Sequence, residues 1–264
     1  AAYFRGQREL FDGLAIADLE QAWKSYPVLH LDLTGVNYHN PGALENTLNL
    51  ALLKWEDKYG TGKGEFELGD RFMGIIERAS QQTGMQVVLL VDEYEKPVLD
   101  TIDDEAVQEK NRQILNGFYG GIKKSDPYLK FVLLTGVTKL GKMSVFSALN
   151  NITDISLMQE YADICGMSED ELESYFHQDI QNMADVRNKS YDEMHAVLKY
   201  EYNGYHFCKE MINSVYNPYS LLNALARKDI SRYWFETGTP TFLVHLLKKY
   251  RSNIVYFAYA TLIL

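Results

Sequence analysis

The chain has 264 residues, 46% of them hydrophobic and 23% charged, the balance of a globular protein that can bury an ordinary core. Its formal net charge of -10 argues against holding nucleic acid by overall charge and leaves only a local basic patch for that role. Two widely spaced cysteines, Cys165 and Cys208, read as reduced structural thiols, and there is neither a signal peptide nor an apolar run long enough to cross a bilayer, so a soluble, cytoplasmic protein is expected.

Taken in chain order, Val28 to Leu33 is expected as a strand closed by Thr34-Gly35. Asn40 is expected to cap, and Pro41 to open, a helix with Leu44, Leu48, Leu52, Trp55 and Tyr59 at helical spacing and Gly60 past its end. A second helix carries Phe72, Ile75, Ile76 and Ala79 before Gly84. Gln86 to Val91 follows as a short apolar strand, then a helix with Val107, Leu115, Phe118 and Ile122, then a strand from Phe131 to Thr135. Alternation of this kind predicts an α/β domain over residues 1–155, with a mostly parallel sheet and flanking helices.

After about Asn151 the pattern turns helical. Ser168 and Glu171 form a capping box, with Leu172, Tyr175 and Phe176 as the core face behind it. Asn217-Pro218 and Thr239-Pro240 each read as a cap followed by proline at the first helical position, ahead of Leu221, Leu222 and Leu225 and of Phe242, Leu243, Leu246 and Leu247. A smaller, lid-like helical domain over residues 156–264 is expected. The chain opens on Ala1 and stops inside the apolar run Ala260-Thr261-Leu262-Ile263-Leu264, and is expected to be an excerpt of a longer polypeptide.

The most informative string is Val88-Leu89-Leu90-Val91-Asp92-Glu93, a buried strand ending in two acids. Adjacent acids at a strand end must leave the core, which directs them to the crevice above the carboxyl edge of the sheet. In ATPases of the P-loop type the first acid of such a pair holds Mg²⁺ and the second polarises the attacking water, the Walker B pattern with a catalytic glutamate. The alternative is an exposed pair that caps the next turn.

A nucleotide site also needs a glycine-rich phosphate cradle. Gly60-Thr61-Gly62-Lys63-Gly64 follows a helix and has glycine where a metal-binding hydroxyl belongs, so it reads as a solvated loop. Gly136-Val137-Thr138-Lys139-Leu140-Gly141-Lys142-Met143 has the glycine and lysine spacing, but Met143 replaces the hydroxyl, and the loop comes after the acidic strand rather than before it. It reads as a coincidence of spacing, with Ser144 the one nearby hydroxyl.

Several strings in order resemble the bacterial AAA-ATPase-like family, whose members often carry a PD-(D/E)XK nuclease-like domain after the ATPase-like region. They are Tyr3-Phe4 with Leu10-Phe11-Asp12-Gly13-Leu14, Tyr26-Pro27-Val28-Leu29-His30-Leu31-Asp32-Leu33, Val91-Asp92-Glu93-Tyr94-Glu95-Lys96-Pro97, Leu134-Thr135-Gly136-Val137-Thr138-Lys139, Tyr202-Asn203-Gly204-Tyr205, Val215-Tyr216-Asn217-Pro218 and Tyr233-Trp234-Phe235-Glu236-Thr237-Gly238-Thr239-Pro240. The resemblance implies a P-loop NTPase-like fold whose Walker A loop lies upstream of Ala1, with ATP and Mg²⁺ as ligands. It implies Asp92 on the metal, Glu93 as the catalytic acid, Thr135 as a sensor near the γ-phosphate and Lys139 beside phosphate charge. It further implies an attached nuclease-like effector downstream, the only route by which nucleic acid becomes a partner, and no membrane. Asp32 ends a neighbouring strand, where a turn-capping role is expected. His30, His195, His206 and His245 show no metal-ligand spacing and read as structural or surface residues. The functional readings are an ATP-hydrolysing switch and, as the alternative, a scaffold that retains the fold without turnover.

Overall fold

A computed structural model describes residues 1–137, 152–208 and 214–234. The chain divides into two compact units, residues 1–152 and 153–264.

In the first unit, β1 (Val28–Asp32), β2 (Val87–Asp92) and β3 (Leu129–Leu134) form a parallel sheet in the order β1-β2-β3. Parallel neighbours need crossovers. The chain supplies α2 (Ala43–Tyr59) and α3 (Leu68–Thr83) after β1, and α4 (Lys96–Leu99) and α5 (Glu105–Lys124) after β2, while a short α1 (Ala15–Leu19) precedes the sheet. The third strand begins two residues earlier than its sequence suggests, because Leu129 already pairs with Val87 across an irregularity in the ladder.

Register decides what each face presents. Leu29 pairs with Leu89 and Leu31 with Val91, and these in turn pair with Val132 and Leu134. Leu29, Leu31, Leu89 and Val91 are buried. The intervening row is more open, with His30 exposed, Leu90 half-buried and Phe131 stacked on Phe4 at 5.2 Å between centroids. Among the described residues no strand pairs with the outer edge of β1 or of β3.

The apolar stripes read from the sequence are the buried faces of α2, α3 and α5, except that Val107 of α5 is only half-buried. They meet through an aromatic core in which Phe72 stacks on Phe118 at 4.4 Å and lies 5.9 Å from Trp55. The start of α2 corrects the expectation. Asn40 does not cap it and Pro41 does not open it; the helix begins at Ala43, after Gly42 at φ 78°, and the Asn40 carbonyl accepts from Ala43 N–H at 3.1 Å. Glycine adopts that left-handed geometry without a Cβ penalty, so Asn40 and Pro41 stay in the preceding turn.

In the second unit, Ser168 and Glu171 form the expected capping box on α6 (Glu169–Val186), and Ser190 and Glu193 form another on α7 (Tyr191–Tyr202). Asn217 Oδ1 accepts from Ser220 N–H at 2.9 Å with Pro218 at the first position of α8 (Pro218–Arg227), again as expected. Leu172, Ile180, Met183, Leu198, Tyr216 and Leu221 are buried together, with Phe176 packed against them. Tyr175 is not part of this face: it is 62% exposed, because the stripe Leu172, Phe176, Ile180, Ala184 advances in steps of four and rotates away from it. Leu222 is exposed too. Thr239-Pro240 and Phe242 to Leu247 lie outside the described residues. No described helix is long and apolar enough to cross a membrane.

One ion pair clamps α2 to α3. Arg71 donates from Nε to Glu56 Oε1 at 2.7 Å and from Nη2 to Oε2 at 2.8 Å, and its Nη1 reaches Asn49 Oδ1 at 2.6 Å. Glu56 is 8% exposed at its side chain. The hydrogen bond from Arg71 holds the Glu56 carboxyl below the usual carboxylate range. Replacing Arg71 with Met strands a buried carboxylate and is expected to cost about 3 kcal/mol in urea unfolding. Because the folded pKa is depressed, the stabilisation is present above the ordinary carboxylate range and is lost as pH falls through the lowered folded value. Urea melts repeated across that acid range should show this loss in the parent protein and not in R71M.

Candidate functional site

The apolar row ends together on all three strands, and the next residue on each is polar. Asp32 pairs with Asp92, and Thr135 follows Leu134, the partner of Val91. The ladder runs one residue past the strands: Thr135 N–H donates to Val91 O at 2.9 Å, Leu33 N–H to Asp92 O at 3.2 Å and Tyr94 N–H to Thr135 O at 3.1 Å. Asp32, Asp92 and Thr135 therefore form an exposed row at the carboxyl edge of the sheet. The Thr135 hydroxyl donates to Asp92 Oδ1 at 2.5 Å and also approaches Val91 O at 3.4 Å. The structure thus brings together Asp92 and Thr135, forty-three residues apart in sequence.

Each remaining acid has a distinct setting. Asp32 Oδ1 accepts from Thr34 N–H at 2.9 Å, and the Thr34 N–H and hydroxyl hold its carboxyl below the usual range. It caps its own turn. Glu93 sits at φ 54°, in the left-handed region, and its carboxylate lies 3.9 Å from the Lys96 ammonium, which is shared with Asp100 at 3.4 Å. The Glu93 carbonyl accepts from Lys96 N–H at 2.9 Å, so the strained residue is also the pivot from β2 into α4.

Glu95 is the residue that sequence reasoning left without a role. It is fully buried, and its Oε1 accepts from Val137 N–H at 2.5 Å. Its carboxylate lies so close to Gly136 that a Cβ there would sit 1.8 Å from Oε2. The main chain leaving β3 is thereby tied to the one leaving β2. The available signal was an acid three residues beyond Asp92 and two before Pro97, in a segment too short to project it into solvent. Two buried phenols form the floor: Tyr38 donates to Leu33 O at 2.8 Å and Tyr119 to Tyr94 O at 3.3 Å. Burial pushes both phenol pKa values well up, so they remain donors. Asn111 Nδ2 donates to Pro97 O at 3.0 Å and joins α5 to the same support. Lys139, like Gly141, Lys142 and Ser144 of the second glycine loop, lies outside the described residues.

Open α/β sheets bind their ligands in the crevice at the carboxyl ends of the strands, which is where this acid, the following glutamate and the threonine of the next strand gather. Residues 1–146 match the family described as Predicted AAA-ATPase, and the chain belongs to this AAA-ATPase-like family. A protein of Azotobacter chroococcum mcd 1, described as an uncharacterized protein in the vnfD 5′ region, is 36% identical over 252 residues, which are 96% of this chain and 46% of that protein. The chain spans about half the length of this curated relative. No solved structure matches.

The conformation of Glu93 gives a stability prediction separate from any activity. A non-glycine residue in the left-handed region costs roughly 1–2 kcal/mol, only part of which glycine returns through its larger unfolded-state entropy. Glu93→Gly should therefore leave the protein as stable as the parent or about 0.5–1 kcal/mol more stable by thermal or urea unfolding. A clear loss of stability would mean that the Glu93 carboxylate is a structural anchor rather than a strained functional group.

Proposed function

We propose that this chain is the ATPase-like region of a P-loop NTPase that binds and hydrolyses ATP as a switch for an attached effector. The observation that carries the reading is the row Asp92, Thr135 and the adjacent strained Glu93 at the carboxyl edge of a parallel sheet. Asp92 suits Mg²⁺, which is commonly held by one or two carboxylates with waters and substrate phosphates completing the shell. Asp92 is exposed, and its Oδ1 is oriented by Thr135. When bound, Mg²⁺ would neutralise charge on the phosphate oxygens.

The work of this chain's own residues then follows. Glu93 accepts a proton from the attacking water and orients it, with the Lys96 ammonium 3.9 Å from its carboxylate. Thr135, fixed by its main-chain bonds to Val91 and Tyr94 and donating its hydroxyl to Asp92, is assigned the role of sensor near the terminal phosphate. Lys139 is assigned to the phosphate charge. The cradle is assigned to a Walker A segment upstream of Ala1, and the outer edge of β3, which has no partner strand among the described residues, is where a strand bearing it would place the loop beside Thr135. The effector is assigned to a downstream nuclease-like domain, for which the greater length of the Azotobacter relative leaves room. A cytoplasmic location completes the reading.

The test uses the intact protein with its flanking segments. Asp92→Ala should weaken Mg²⁺-dependent ATP binding while leaving the unfolding midpoint in place. Glu93→Gln should retain ATP and lower hydrolysis by about a hundredfold or more, the scale of losing a positioned base. ATP binding without turnover in the parent protein would favour the scaffold reading, and unchanged hydrolysis in E93Q would remove Glu93 from the chemistry.

A further inference from the structure

The second unit holds a group of side chains that the nucleotide site does not use. Glu169 and Glu173 stand one turn apart on α6, and His195 faces them from α7; one ligand atom from each lies within 4.8 Å of the others. His195 Nε2 is 2.6 Å from Glu169 Oε1 and 3.5 Å from Glu173 Oε1. That nitrogen is sealed from solvent, although the side chain as a whole is 19% exposed. The nitrogen thus stands within ion-pair distance of both carboxylates yet makes no hydrogen bond to either.

The carboxylates are fixed from behind. The Tyr191 hydroxyl contacts both oxygens of Glu173 at 2.8 Å, and His177 Nδ1 lies 3.3 Å from Oε2 of the same group. Glu169 Oε2 accepts from the Tyr216 hydroxyl at 3.1 Å and lies 3.0 Å from the Lys199 ammonium, leaving Oε1 turned toward His195. Burial opposes ionisation of Glu169, yet the bonds from Lys199 and Tyr216 hold its carboxyl below the usual range; the Tyr191 hydroxyl does the same for Glu173. Both are thus charged and pre-aimed, the role that outer donors play around metal ligands.

We propose that Glu169, Glu173 and His195 form a binding site for a divalent transition metal of the zinc class, with water completing the shell. Zinc takes imidazole nitrogen and carboxylate oxygen at about 2.0–2.2 Å, which sets ligand atoms roughly 3–3.5 Å apart in a tetrahedron, within the range spanned here. The imidazole selects zinc or cobalt over magnesium. The ion is taken by the neutral imidazole at Nε2, and a single doubly charged centre then reaches both carboxylates. It would pin α6 to α7.

The test titrates the chelator-treated full chain with Zn²⁺ or Co²⁺ alone in a calorimeter and follows its thermal midpoint. One equivalent should bind with micromolar or tighter affinity and raise the midpoint, and excess Mg²⁺ should not displace it. Glu173→Gln and His195→Gln should each lower affinity at least tenfold. Should H195Q fail to fold, E173Q, altered at a largely exposed side chain, still decides the matter. Absence of binding, displacement by Mg²⁺, or parent-like affinity in a folded E173Q would each overturn the proposal.

Discussion

Parallel strands advance with a side-chain period of two, so a register that aligns one buried row necessarily aligns the rows on either side of it. Here the aligned pairs Leu31–Val91 and Val91–Leu134 are the constraint. They commit Asp32, Asp92 and Thr135 to a common level and a common face, one residue beyond the last apolar layer. The polar edge is thus a by-product of core packing: a slip of one residue in either pairing would put a carboxylate or a hydroxyl among Leu29, Leu89 and Val91. Close packing of the interior opposes such a slip, because buried side chains leave few voids in which a displaced row could settle.

Much of this was legible because the relevant signals are local and periodic. The apolar runs of β1 and β2, the helical stripes through Leu44 to Tyr59 and Phe72 to Ala79, the Ser168 capping box and the Asn217-Pro218 start all depend on residues within a few positions of one another. The misses have equally physical origins. Asn40-Pro41 has the composition of a helix start, but Gly42 could take a backbone conformation closed to its neighbours. Tyr175 was placed in the core by spacing alone, and the direction in which the stripe rotates removed it. The resemblance assigned Asp92 and Thr135 to one site, but their contact was not legible, since nothing local to either residue reports a contact across forty-three positions. Glu95 was overlooked because an acid in an acid-rich string reads as solvated until the fold closes over it.

The two units use ionisable groups differently. At the sheet edge Asp32 and Asp92 are exposed and Glu93 is half-buried, which leaves capacity for an incoming ligand. In the helical unit Glu169 and Glu173 are crowded by His195, Lys199 and two phenols, a set in which each charge is oriented by its neighbours. The Arg71–Glu56 clamp is a third case, closed by a bidentate fit, extended to Asn49 and reinforced by the charges of Arg78 and Glu65. Burial and donor count separate these cases more clearly than residue type does.

The contact between Glu95 and Gly136 carries an evolutionary consequence. Neither position can vary alone: a side chain at 136 would collide with the carboxylate, and a shorter acid at 95 would release the Val137 N–H. Substitutions there are expected to travel as a pair across relatives, an alanine at one position accompanied by an aspartate or a smaller residue at the other. The same coupling makes the exits of β2 and β3 one mechanical piece. Displacement of the segment beyond Thr135 must draw on Glu95, hence on α4, and through Asn111 on α5, so the first unit has a built-in linkage from the sheet edge to a helix on its flank.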